Sequence, residues 1–158
     1  MKKQLKITSY VSIILGCILV IAGIWSLSFT YNSVKQENII TPEDASIPNQ
    51  KVVGPLTLKS QSDIIRFHTL NTTGGKTYAE MPRQIPKLDE NGKEVLDSEG
   101  KVVMVDNGAR NIWITATSLM TALHLAIMAY GLFILVIIFG LSSIWNGYVF
   151  CLLAKKEN

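Results

Sequence analysis

Two long stretches without a single charged residue, Ile7 to Val34 and Ile112 to Ala154, bracket a polar middle that holds every acidic residue except Glu157. A stretch of that length and composition folds as a helix in lipid or is buried all round. The chain has 158 residues, of which only 17% are charged. It is therefore predicted to be an α-helical membrane protein: two antiparallel transmembrane helices carrying a small α+β extracytoplasmic domain that includes a β-hairpin. The middle segment, at about 80 residues, is near the lower size limit for a domain that folds alone. It is expected to lean on the helices or on a partner.

Charge sets the orientation. The tails carry Lys2, Lys3, Lys6, Lys155 and Lys156 against Glu157, while the middle is close to neutral. Basic residues beside a span stay on the cytoplasmic side. Both termini are thus predicted to be cytoplasmic, in a two-pass protein of the cell membrane. The basic balance reports topology, and no basic patch of domain size points to nucleic acid. Neither cysteine lies in the polar middle, so no disulfide is expected there. Cys17 follows Ile14-Leu15-Gly16 in the manner of a lipoprotein cleavage site, but the apolar run continues past it, as a retained anchor would.

The expected order is a cytoplasmic tail at 1–6, a first span at 7–29, the outer domain at 30–110, an outer helical extension at 111–123, a second span at 124–146 and a cytoplasmic tail at 147–158. As one helix the second uncharged stretch would run roughly 65 Å, twice what a bilayer needs. Its first part is more polar, with Thr117, Thr121 and His124 on one helical face. An amphipathic helix starting outside near Asn111 and entering the membrane near His124 accounts for both facts. Residues 148–154 would then lie along the inner surface, or the span would slide inward to use them. In the first span Ser12, Gly16, Leu19, Gly23 and Ser26 recur at helical spacing. Small residues on one stripe let another helix come close. Ser12, Gly16, Gly23, Thr117 and Thr121 are the candidate packing positions.

Within the outer domain, Thr30 to Gly54 reads as loop with a short strand. Gly54-Pro55 starts a helix over about 55–70, which ends at the glycines of Asn71 to Gly75. Asn91-Gly92 and Ser98-Glu99-Gly100 are turn signals inside a hairpin over about 93–105. No long internal repeat is present.

Little in the chain carries chemistry. Gly74-Gly75-Lys76-Thr77 looks like the end of a phosphate-binding loop, but Leu70 stands where that loop needs a glycine, and a helix precedes it. Asp89, Asn91, Asp97 and Glu99 lack the alternating pattern of a calcium loop. His68 and His124 fall short of the three or four ligands of a zinc or non-haem iron site. No catalytic residue, metal ligand or cofactor is assigned. His68 beside Asp63 and Glu80 is the remaining cluster worth testing.

Glu37-Asn38-Ile39-Ile40, Asp44-Ala45, Gly54-Pro55, Gln61 to Leu70 and above all Thr73-Gly74-Gly75-Lys76-Thr77-Tyr78-Ala79-Glu80 resemble a family of small two-span membrane proteins abundant in actinobacteria. Ala116 to Gly131 is similar to that family's entry into the second span, and Lys87 to Asn107 looks like an addition. Members often carry the label aromatic ring-opening dioxygenase. Such an enzyme would hold iron through two histidines and a carboxylate in a soluble core, which these residues do not supply. The resemblance implies the topology and an outward-facing motif, with no activity attached.

Three functions follow as expectations. The first is a non-catalytic integral membrane protein of the cell envelope that works by protein–protein interaction or self-assembly, with the lipid bilayer and other membrane proteins or itself as partners. The second is an extracytoplasmic ligand-sensing or binding module at His68, Gly74, Gly75, Lys76, Tyr78 and Glu80. The third is a metal-dependent enzyme.

Overall fold

A computed structural model describes residues 2–156. Three helices dominate: α1 (Lys2–Lys35), α2 (Pro55–Thr72) and α3 (Gly108–Lys156). A short 3-10 turn at Tyr78–Glu80 and a two-stranded antiparallel sheet, β1 (Gln84–Pro86) with β2 (Met104–Asp106), complete the order. Both α1 and α3 are long and apolar enough to cross a membrane, and only 17% and 11% of their most apolar windows is buried. Most of the apolar surface of both helices is therefore left uncovered by the other described residues.

The second uncharged stretch is one unbroken helix. At about 1.5 Å per residue, α3 is roughly 74 Å long. It begins at Gly108 and does not stop at Trp145 to Gly147. The helix runs straight through the segment expected to lie along the inner surface. Likewise α1 continues to Lys35, so 30–35, expected to open the outer loop, is helical.

The two long helices meet along small residues. Ser9, Gly16, Gly23 and Thr30 are the buried positions of α1, and Gly140, Gly147 and Ala154 are among those of α3. Each set recurs every seventh residue, the repeat that keeps a seam facing a partner in a left-handed crossing. Ser9 Oγ donates to Gly147 O at 2.7 Å, and Ser143 Oγ donates to Ser12 O at 2.9 Å. Numbers rise on one helix as they fall on the other, so the pair is antiparallel. With no side chains between them the backbones come into contact, a geometry suited to lipid, where packing and hydrogen bonds replace the hydrophobic effect. Ser12 flanks this seam half-buried.

The head is built on the upper part of α3. Thr57 Oγ1 accepts from Val53 N at 3.1 Å and Gly54 N at 3.2 Å, which fixes the entry into α2 beside Pro55. Leu58 of α2 packs with Val52, Leu123 and Tyr130, supported by Leu27, Val34 and Ile65. Higher up, Trp113, Ala116 and Met120 of α3 pack with Met81, Ile65 and Leu70. The 36–54 loop carries an isolated bridge, Ile40 to Lys51, and is tied to α2 by Ser60, whose hydroxyl accepts from Ile47 N at 3.0 Å.

Beyond the head stands an arm with an unexpected order. The predicted hairpin forms, with Leu96 opposite Val102, but a third segment joins it, with Leu88 opposite Glu94 and Pro86 opposite Met104. Lys87 N donates to Val103 O, Val103 N to Val95 O and Val95 N to Lys87 O, each at 2.8 Å, a closed triangle of backbone bonds. Residues 87, 95 and 103 are eight apart, and the sequence repeats with them: Leu88-Asp89-x-x-Gly92-Lys93 and Leu96-Asp97-x-x-Gly100-Lys101. In each turn the aspartate Oδ1 accepts two amides, Asn91 N and Lys93 N at 2.8 Å for Asp89, Glu99 N and Lys101 N at 2.9 Å for Asp97. Gly92 and Gly100 take φ of +75° and +78°, which only glycine adopts freely.

Candidate functional site

The Thr73 to Glu80 motif is first of all a helix stop. Gly75 N donates to Leu70 O at 2.7 Å while Gly74 and Gly75 take φ of +62° and +78°, the left-handed closure of a helix C-terminus. Trp113 of α3 buttresses it, with Nε1 donating to Lys76 O at 2.8 Å and lying 3.1 Å from Thr73 Oγ1. Glu80 closes the following turn: its Oε2 accepts from Thr77 N and Thr77 Oγ1, both at 2.7 Å. These bonds hold the Glu80 carboxyl below the usual carboxylate range. The motif's polar groups are thus largely engaged in its own fold, with open space around both glycines.

His68 is not with them. Its Nε2 lies 2.6 Å from Asp44 Oδ2, at the exposed rim between the 36–54 loop and α2. That hydrogen bond is the first cause of a lowered Asp44 pKa. The carboxylates expected beside His68 are elsewhere, Asp63 with Lys59 at 2.6 Å and Glu80 with Thr77. Among the described residues, no three His, Cys, Asp or Glu side chains gather as a metal site.

Tyr78 leads to an open concavity of the head. The Arg110 guanidinium lies 3.9 Å from its ring centroid, a close cation–π stack. Tyr78, Arg83, Asp106, Asn107, Arg110, Asn111 and Ile114 line an open cavity of about 400 Å³ at the first turn of α3. Asn107 shapes the wall: its Oδ1 accepts from Ala109 N at 3.1 Å as a helix cap, and its Nδ2 donates to Pro82 O at 3.0 Å. The side chains of Arg83, Asp106 and Asn111 make no hydrogen bond or ion pair among the described residues. Arg110 Nε is buried without a hydrogen-bond partner, an arrangement that costs on the order of 1–3 kcal/mol when nothing satisfies it. Arg83, Asp106, Arg110 and Asn111 thus line one open space. No local sequence pattern marks Arg83, Asp106 and Arg110, because separate segments of the chain bring them together.

Thr117 and Thr121 lie on the part of α3 that faces α2. Both are exposed and line a cleft of about 300 Å³ with Ser62, Asp63, Arg66 and His124. Here Ser62 Oγ and His124 Nε2 are 2.8 Å apart. A serine within reach of a histidine is the start of a nucleophile pair. Ser62, however, sits in the middle of α2, where the helix ladder occupies the neighbouring amides that an oxyanion would need. The pair reads as a polar tie between α2 and α3.

No family model, no curated protein and no solved structure matches this chain.

Proposed function

We propose that the chain is a two-pass protein of the cell membrane, with both termini cytoplasmic, whose head stands on the opposite side and binds a partner without performing chemistry. The α1–α3 seam carries this reading. Its small residues are consumed inside the chain, Gly16 against Gly140 and Ser9 against Gly147. A second copy using Gly16 and Gly23 would first have to displace α3, so recognition falls to the head and not to this stripe. The outer apolar faces of both helices, Ile14, Ile18, Ile21, Leu132, Leu135 and Phe139 among them, are exposed as lipid-facing surfaces are. The lysines at Lys2, Lys3, Lys6, Lys155 and Lys156 set the cytoplasmic side.

The test uses Cys17→Ser with Cys151→Ser as background. A single cysteine at Glu99→Cys should react with a membrane-impermeant maleimide on intact cells, and one at Lys3→Cys only after lysis. The reverse pattern, or equal labelling of both, sinks the topology. A second reading, a ligand-binding head, is favoured by one observation: the convergence of Tyr78, Arg83 and Arg110 on a single cavity.

A further inference from the structure

The geometry points to the cavity between Tyr78, Arg83, Asp106, Arg110 and Asn111 as a binding site for a small carboxylate that also carries a hydrogen-bond donor, an ammonium or a hydroxyl, as in an amino acid or a hydroxy acid. The inference deepens the reading of the head as a binding module. Arg83 and Arg110 line the space with two guanidinium groups, and neither is neutralised by an ion pair among the described residues. Guanidinium recognises planar oxyanions through paired N–H donors, so a carboxylate is the natural guest.

Asp106 narrows the choice. Its carboxylate lines the same wall, which brings the formal charge of the lining down to one positive. A phosphate dianion would meet that carboxylate at close range, whereas an ammonium or hydroxyl would donate to it. Asn111 adds a side-chain amide that can give and accept. Ile114 supplies an apolar surface for a side chain, and the Tyr78 ring packs against the Arg110 guanidinium at 3.9 Å. The N-terminus of α3 at Gly108 adds partial positive charge beside the cavity. The volume of about 400 Å³ suits a guest of amino-acid to dipeptide size.

The preorganisation is visible in the wall. Asn107 is locked by two bonds, and Arg83 lies where its own carbonyl accepts Asn107 N at 3.0 Å. Both arginines therefore stand on backbone that does not have to move for binding.

The full-length protein in detergent is titrated calorimetrically with glycine, L-alanine, L-glutamate, lactate, acetate and inorganic phosphate. At least one amino or hydroxy acid should bind saturably with a Kd below about 1 mM, at least tenfold more tightly than acetate. Arg83→Gln and Arg110→Gln should each weaken it by about tenfold or more. Asp106→Asn should erase the preference over acetate while leaving acetate binding in place. Arg83 holds nothing in the fold through its side chain, so Arg83→Gln keeps the test alive should Arg110→Gln fail to fold. No binding of any carboxylate up to about 10 mM, phosphate binding more tightly than every carboxylate, or unchanged affinity in Arg83→Gln would each overturn the proposal. The measurement does not involve the membrane, so an inverted topology would leave it intact. A head that recognises only a protein would fail here and still satisfy the broader reading.

Discussion

Adding one methyl group at Gly16 asks whether the backbones of α1 and α3 are really in contact. A Cβ there would lie 2.6 Å from Gly140 O and 2.6 Å from Ile144 Cγ1, with Ile144 N at 2.9 Å. The isoleucine side chain can rotate away, but the Gly140 carbonyl is part of a helix and cannot. Ordinary contact begins at 3.4 Å, so the helices would have to part by roughly 0.8 Å, enough to forfeit a quarter to a half of the local dispersion attraction. Overpacking of this kind costs about 1–3 kcal/mol, offset by about 0.5–1 kcal/mol from the better helix propensity of alanine. Gly131→Ala is the matched control: it sits in the same helix pair, with nothing within 4 Å of its added Cβ. Thermal unfolding in detergent, followed by circular dichroism, should lower the midpoint for Gly16→Ala by roughly 2–6 °C. It should leave Gly131→Ala unchanged or higher. Equal midpoints for the two would refute backbone contact at the seam. Gly140→Ala should repeat the Gly16→Ala result, since its Cβ would lie 2.9 Å from Gly16 O, and the double variant should cost less than the two singles combined.

The head and arm give further tests. Trp113→Phe removes the indole N–H that Lys76 O and Thr73 Oγ1 share, and should destabilise by about 1–2 kcal/mol in thermal melts, whereas Trp145→Phe, 65% exposed, should change little. Asp89→Ala with Asp97→Ala strips from each turn of the arm the one carboxylate oxygen that accepts two backbone amides; limited proteolysis within 90–102 should become several-fold faster, while cleavage elsewhere is unaffected. The Asp44 carboxyl is held below its ordinary value by His68. Its contribution is present above the unfolded carboxylate pKa, near 3.8, and disappears as pH falls through the lower folded value. Amide protection in the 36–54 loop, taken relative to the intrinsic exchange rate at each pH, should therefore fall on acidification below about pH 4, and Asp44→Asn should abolish that pH dependence.

Some of this was readable in the residues. Gly54-Pro55 and the Gly74-Gly75 pair mark the ends of α2 because each sets backbone geometry locally. Gly16 and Gly23 announced a close-packed stripe, since small residues at helical spacing have few other uses in an apolar helix. Their counterparts Gly140 and Gly147 were less conspicuous, being spaced by seven in a helix that also serves the head. Strand β1 was hidden by Pro86, which argues against a strand interior. The residue is accommodated because the pairing ends there and Lys87 passes to the triangle. The eight-residue repeat is too short to stand out until its three backbone bonds are seen. The cavity left no local trace: Tyr78, Arg83 and Arg110 come from a turn, a strand approach and a helix start. Their meeting depends on how α3 is set against the β1–β2 ladder.

The unbroken course of α3 has a mechanical consequence. A guest bound as proposed would sit at the first turn of a rod that runs unbroken to Lys156, with no joint between them to absorb a motion. A tilt imposed at the first turn would emerge at the far end as a sideways swing of the opposite sense, as in a seesaw. Because α1 is locked to the lower half through Ser9, Gly16 and Gly23, the Lys2 end of α1 and the Lys156 end of α3 would travel as one.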